Sequence, residues 1–137
     1  MCGIVAYIGN KDPKPIILDG LERMEYRGYD SAGILLCNNF ESQLTKISGK
    51  VDSLSKKLDT KQQISTHLGI GHTRWATHGI PDEINAHPHI SNSGKLHIVH
   101  NGIIENFDTI KKELSQRGYS FYSDTDSEVL VNLIDEI

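Results

Sequence analysis

The sequence predicts a mixed domain of the α/β or α+β class, and three observations carry that expectation. Short apolar runs bounded by turn formers recur along the chain, and amphipathic helical stretches lie between and after them. The length of 137 residues and the 37% hydrophobic content suit one domain with a core of its own. Strand-like runs fall at residues 3–8, 32–37, 44–47, 69–73 and 96–100. A helix follows Asp12-Pro13, with Ile17, Leu18, Leu21 and Met24 at helical spacing, and a weaker one is expected near residues 51–58. The next helix carries Phe107, Ile110 and Leu114 on one face and stops at Gly118. The last opens with a capping box, in which Thr125 caps the amide of Glu128 and the Glu128 side chain reaches back. Val129, Leu130, Leu133, Ile134 and Ile137 then line one face. The chain stops on that apolar face, so the domain is expected to continue past Ile137.

Composition excludes several functions. Fourteen basic against eighteen acidic residues give a net charge of -4, without a basic run to track phosphates, so nucleic acid is not an expected partner. No segment approaches the roughly 18 apolar residues of a membrane span. The default compartment is the cytoplasm, and Cys2 and Cys37 are too few for a disulfide framework. Cys37 ends an apolar run and reads as core.

Cys2 stands apart. Removal of Met1 would leave its thiol and a free α-amine on one carbon atom. The amine titrates near pH 8, so it can take the thiol proton and later return one to a leaving amine. With Met1 in place the same nitrogen is an amide and no base. On position alone Cys2 reads more readily as a buried start to the apolar run that follows it.

Other residues collect chemistry. Residues 26–33 (Tyr-Arg-Gly-Tyr-Asp-Ser-Ala-Gly) have neither helical nor strand periodicity and form either an ordinary turn or one wall of a site. Residues 71–79 place the only tryptophan, Trp75, beside Arg74 at the end of an apolar strand. Arg74 offers a planar fork for a carboxylate and Trp75 an apolar wall, unless the pair is simply a surface arginine stacked on an indole. Asn101-Gly102 is either a hairpin turn or an oxyanion hole, since an asparagine NH2 and a backbone N–H are the donors that stabilise a tetrahedral oxyanion. Asp124 and Asp126 sit at a helix start, where acidic residues are favoured on electrostatic grounds alone. Six of the seven histidines lie between His72 and His100, but their spacing matches no zinc signature, and they are expected to make local hydrogen bonds.

Taken together, Met1-Cys2-Gly3-Ile4, residues 25–33, 71–79, Asn85-Ala86-His87-Pro88-His89, residues 100–106 and residues 123–128 resemble, in this order, the class II glutamine amidotransferases. Within that group the wording at 72–79, 85–89 and 100–106 is similar to the glutaminase domains of the glutamine:fructose-6-phosphate amidotransferases. The resemblance implies an α+β N-terminal nucleophile hydrolase fold, a four-layer αββα sandwich truncated here at its C-terminus. Residues 1–137 would be the N-terminal portion of the glutaminase domain, without the sugar-phosphate isomerase domains that follow in the family.

The resemblance also implies roles. Cys2 would be the nucleophile and its own amine the base, with Asn101 and the Gly102 N–H holding the oxyanion. Arg74 would bind the α-carboxylate of L-glutamine and Asp126 its α-ammonium. Thr77 and His78 belong to the same substrate-binding segment, Arg27 and Tyr29 to a loop that closes near bound glutamine, and Trp75 lies near the route ammonia takes. No cofactor or metal is implied, and a homo-oligomer is expected. The reaction would release ammonia through a γ-glutamyl thioester, feeding glucosamine 6-phosphate synthesis in the whole enzyme. If Met1 stays, the chain would instead be a glutamine-binding module. A third possibility is a related amidotransferase with another acceptor, which the wording at 74–75 and 85–89 disfavours. On this reading the isolated chain hydrolyses glutamine weakly or not at all, because missing strands would leave apolar faces uncovered. Turnover equal to that of a chain extended past Ile137 would overturn that expectation.

Overall fold

The computed structural model describes residues 2–75 and 80–137, and Arg27 by its backbone alone. Strand β1 (Gly3–Ile8) leads through helix α1 (Pro13–Met24) and a single 3-10 turn to the hairpin of β2 (Ser31–Cys37) and β3 (Ser42–Ser48). Helix α2 (Val51–Asp59) and strand β4 (Leu68–Arg74) follow. The four strands form one antiparallel sheet in the order β1-β4-β2-β3, so β4 is paired on both sides.

Strand alternation divides this sheet into two functional faces. Ala32, Ile34 and Leu36 of β2 and Ile47 of β3 pack with Ile17 and Leu21 of α1 and with Val51, Leu54 and Leu58 of α2. This is the main apolar core. Close approach of α1 requires glycine below it: a Cβ on Gly71 would stand 2.4 Å from Ile17 Cγ2. Each helix also has a polar start. Asp12 accepts from the Lys14 N–H at 3.0 Å, with Pro13 in the first turn, where its missing N–H costs nothing. Helix α2 has no capping side chain at its own N-cap, and the Glu25 carboxylate accepts the Val51 N–H at 2.6 Å instead.

The opposite face carries the second half of the chain. Strands β5 (His89–Ile90) and β6 (His97–Ile98) form a two-stranded antiparallel ladder, closed by Ser91 N–H to Leu96 O and Gly94 N–H to Ser91 O, each 2.9 Å. Helices α3 (Phe107–Gln116) and α4 (Asp126–Glu136) pack on each other, and α4 covers the ladder. The layers therefore run helices, four-stranded sheet, two-stranded sheet, helices. His87, just before β5, rests on β2: a Cβ on Gly33 would stand 1.8 Å from the His87 carbonyl oxygen.

Four expectations are corrected in detail. The run at 96–100 pairs only at His97 and Ile98, and its partner β5 was unforeseen because two residues beside Pro88 give no alternation to detect. No hairpin turns at Asn101-Gly102; the β5–β6 turn lies at 91–96 instead. Thr125 caps Glu128 N–H at 3.4 Å, but the Glu128 carboxylate passes the cap and accepts the N–H groups of Tyr122 and Ser123 at 3.0 and 2.9 Å. Cys37 is half-buried at the strand end rather than in the core, and its burial still raises the thiol pKa.

The contact between β2 and residue 87 is testable. Gly33→Ala is expected to cost about 3 kcal/mol, because backbone rather than a flexible side chain must yield. A urea midpoint unchanged from the parent would show that the two layers do not meet there.

Candidate active site

The register of the first sheet assembles the site. Gly3 pairs with Thr73 and Ile4 with His72, so one further residue along the same ladder sets Cys2 opposite Arg74. Across β4, Arg74 pairs with Ser31 and His72 with Gly33. Because alternate residues share a face, His72 and Arg74 both lie on the side away from α1. The thiol of Cys2 is held at the strand end, where its sulfur accepts the Trp75 N–H at 3.1 Å.

Arg74 is not the surface residue that its charge alone suggests. It is 2% exposed, and its Nη1 donates to the Ile80 carbonyl at 3.2 Å. The same carbonyl accepts from Asn85 Nδ2 at 2.9 Å, while Asn85 Oδ1 accepts the Asp124 N–H at 2.8 Å. Asn85 thus ties the segment after β4 to the start of α4. There Asp126 is 3% exposed, and its Oδ2 accepts the Ile104 N–H at 2.8 Å. Trp75, by contrast, is 54% exposed and lies against Gly28, while Asp30 N–H donates to the Arg74 carbonyl at 2.7 Å. The 28–30 loop is therefore fastened to the end of β4.

Asn101 and Gly102 follow β6 and reach the same end of the sheet. Asn101 Nδ2 donates to the Cys2 carbonyl at 3.2 Å, and its Oδ1 lies 2.7 Å from His72 Nε2. Gly102 has φ +154° and lies beside the His100 ring, whose Nδ1 is 3.2 Å from Ser127 Oγ. Cys2, Arg74, Trp75, His87, His100, Gly102, Thr125, Asp126 and Ser127 enclose a cavity of about 20 Å³. That is space for about one water molecule, so an amino acid enters only when a wall moves. A much larger groove of about 690 Å³ lies beside β3 and β5, but it contains neither Cys2 nor Arg74. Chemistry, rather than size, selects the small cleft.

Three buried histidines stack together beside it, and of these His87 lines the cleft. The rings of His72 and His87 are 4.2 Å apart and those of His87 and His89 4.6 Å apart, and His89 Nε2 is 2.9 Å from Thr125 Oγ1. Burial lowers the His72 pKa to about 4, with the Asn101 bond opposing it, and burial likewise holds His87 and His89 far below the usual range. All three are neutral at pH 7. His72 and His89 bond across the fold to residues 101 and 125, and neither His87 ring nitrogen has a hydrogen-bond partner, so the expectation of local hydrogen bonding is corrected. They stack rather than converge, and no group of three or more metal-ligating side chains occurs among the described residues.

Of the residues expected at the site, Cys2, Arg74, Trp75, Gly102 and Asp126 line the cleft, and Asn101 adjoins it through the Cys2 carbonyl. Tyr29 is half-buried in the adjacent loop and does not line it. Thr77, His78 and the side chain of Arg27 lie outside the described residues. Sequence reasoning missed His72, His87, His100, Thr125 and Ser127. For His72 a signal existed: it is two residues before Arg74 on a strand, hence on the same face.

Comparison with known proteins points to one family. The profile of the glutamine amidotransferase domain family matches residues 58–137. The chain is 54% identical over 136 residues to the glutamine–fructose-6-phosphate aminotransferase (isomerizing) of Pyrococcus horikoshii, covering 99% of this chain and 23% of that protein. It is 51% identical to the Synechocystis protein of the same name, covering all of this chain and 22% of the other. The chain thus spans less than a quarter of the length of these relatives. Its fold matches the glutamine phosphoribosylpyrophosphate amidotransferase of B. subtilis with a TM-score of 0.80 at 27% identity, covering 98% of this chain and 29% of that one. A solved structure described as the allosteric regulatory enzyme of purine biosynthesis matches with a TM-score of 0.82 at 26% identity, with the same coverage. The α+β amidotransferase fold expected of an N-terminal nucleophile hydrolase is therefore present.

The buried histidine cluster makes stability depend on pH in a defined direction. Folded pKa values below the unfolded 6.5 mean that no effect operates above that pH. Below it the unfolded chain takes up protons that the folded chain refuses. Each histidine then lowers stability by about 1.4 kcal/mol per pH unit, for His72 down to about pH 4. Urea midpoints should fall steeply between pH 6.5 and 5; a flat profile would contradict the neutral cluster.

Proposed function

Because the chain belongs to the glutamine amidotransferase domain family, we propose that it performs the glutamine-hydrolysing half-reaction, with Cys2 as nucleophile. One observation carries this reading: a half-buried thiol, a buried arginine and a buried aspartate share one small cleft. A free amino acid presents a carboxylate and an ammonium group. Arg74 and Asp126 pair with those charges, leaving the side-chain amide to be read at Cys2.

The chemistry follows from the groups present. Removal of Met1 frees the Cys2 amine, which takes the thiol proton as sulfur attacks the amide carbon of glutamine. The carbonyl oxygen becomes an oxyanion between Asn101 Nδ2 and the Gly102 N–H. One Nδ2 hydrogen is held by the Cys2 carbonyl, and the other has no partner among the described residues. The C–N bond then breaks, the amine returns its proton to the nitrogen, and ammonia leaves a γ-glutamyl thioester. Water, deprotonated by the same amine, hydrolyses the thioester to glutamate. Thr77 and His78 extend the substrate segment after Arg74 in this proposal, Trp75 forms the movable wall, and Arg27 and Tyr29 belong to the loop that closes near bound glutamine. Support for the wall is the seating of Trp75 on Gly28 and the cavity's small size.

The relatives' printed name supports a further step. In a longer protein carrying residues 1–137 as the N-terminal portion of its glutaminase domain, sugar-phosphate isomerase domains would use the ammonia to convert fructose 6-phosphate into glucosamine 6-phosphate. The cytoplasm is the compartment we assign, on two cysteines that form no disulfide.

Two measurements check this function. Intact mass after exposure to a glutamine-like diazoketone should show loss of Met1 plus one adduct, abolished by Cys2→Ala; retained methionine without an adduct would favour the binding module. Arg74→Lys and Asp126→Asn should each raise KM for glutamine about 10²-fold, the cost of a lost charge-assisted contact of ~2–3 kcal/mol. Unchanged KM in both would remove these residues from substrate binding.

A further inference from the structure

An oxyanion hole built on asparagine has an ambiguity that its sequence does not resolve. The two ends of a primary amide have nearly the same shape, and a rotation of 180° exchanges a donor for an acceptor. Only the NH2 end stabilises an oxyanion; the carbonyl end would repel it. Asn101 is exposed and lies in a loop after β6, so packing does not choose the end. Its side chain has two protein contacts: Nδ2 to the Cys2 carbonyl and Oδ1 to His72 Nε2.

His72 is the rigid member of that pair. It is 0% exposed on β4, the strand paired on both sides, and its ring is backed by His87 at 4.2 Å. A neutral imidazole carries one N–H, and Asn101 Oδ1 can only accept, so the proton sits on Nε2. Nδ1 agrees, being buried with no hydrogen-bond partner, as suits the bare nitrogen of that tautomer. Rotating Asn101 would set its NH2 against the Nε2–H, donor against donor. Moving the proton to Nδ1 to relieve that clash would bury an unpaired N–H, a costly state.

We propose that His72 is a positioning residue, whose Nε2–H holds the Asn101 amide with its NH2 toward Cys2. His72 touches no reacting atom; it acts through Asn101. The inference rests on the proposed role of Asn101 as oxyanion donor, and it assigns a task to a histidine that lies one strand residue-pair away from Arg74.

Substitutions with glutamine turnover as the readout separate this from a structural role. His72→Phe keeps a planar ring without the donor and should lower kcat about 10²-fold with KM within threefold, as for other lost oxyanion donors. His72→Gln, whose NH2 reaches a similar point, should recover at least tenfold of that loss. The double variant His72→Phe/Asn101→Ala should be no slower than Asn101→Ala alone, because one residue acts through the other. Multiplying losses, or a His72→Phe enzyme with wild-type kcat, would overturn the proposal. NMR supplies a readout independent of turnover. The His72 ring should be protonated at Nε2, with an N–H signal slow to exchange and lost in Asn101→Ala. An Nδ1-protonated ring would sink the inference in an active enzyme, whereas the expected signal in a protein without Cys2-dependent adduct or turnover would leave the positioning intact and remove the glutaminase reading instead.

Discussion

The antiparallel register of β1, β4 and β2 is the constraint on which the rest depends. With Gly3 opposite Thr73 and Ala32 opposite the same residue, Cys2, Arg74 and His72 fall on one face and the apolar partners of α1 on the other. A slip of one residue would exchange the faces, placing the thiol and guanidinium in the hydrocarbon core. The apolar packing of Ile17, Leu21 and Ile34 therefore does more than stabilise the sheet: it fixes the direction in which the polar chemistry points.

The polar face is the opposite kind of interior. Arg74, Asp126, Glu128, Asn85, Asn132 and three histidines are all buried there. Burial of so many polar groups is tolerable because nearly all are paired. Glu128 accepts two backbone N–H groups and the Ser123 hydroxyl, Asn132 Oδ1 accepts the Asn92 N–H, and Asn85 joins two segments. The exceptions are informative. The unpartnered nitrogens of His72 and His87 lie behind the cleft, and their low basicity keeps further positive charge away from Arg74.

Substrate chemistry and closure also meet in one place. The cavity beside Cys2 is too small for an amino acid, yet its outer wall is the exposed Trp75, seated on the 28–30 loop. A buried pair of opposite charges with a displaceable aromatic cover suits a ligand that is charged at one end and neutral at the other. Excluding water strengthens both contacts once the ligand is bound.

Much of this was legible beforehand. Strands β1 to β4 are short apolar runs bounded by turn formers, and the four helices carry helical spacing, weakest at α2, so local composition was enough to locate them. Cys2, Arg74, Asn101 and Asp126 were legible chiefly because their motifs, in this order, resemble those of the class II amidotransferases; alone, Cys2 reads as core and Asp126 as an ordinary acidic helix start. What the sequence by itself determined was thus the elements and the reactive groups. Only the tertiary structure decided that Arg74 is buried, that Glu128 bypasses its own cap to reach Tyr122 and Ser123, that Glu25 caps a helix 26 residues away, and that His72 meets Asn101. The reason is physical: these are satisfactions of buried polar groups by partners distant in sequence, and hydrogen bonding sets no periodicity along the chain from which such partners can be read.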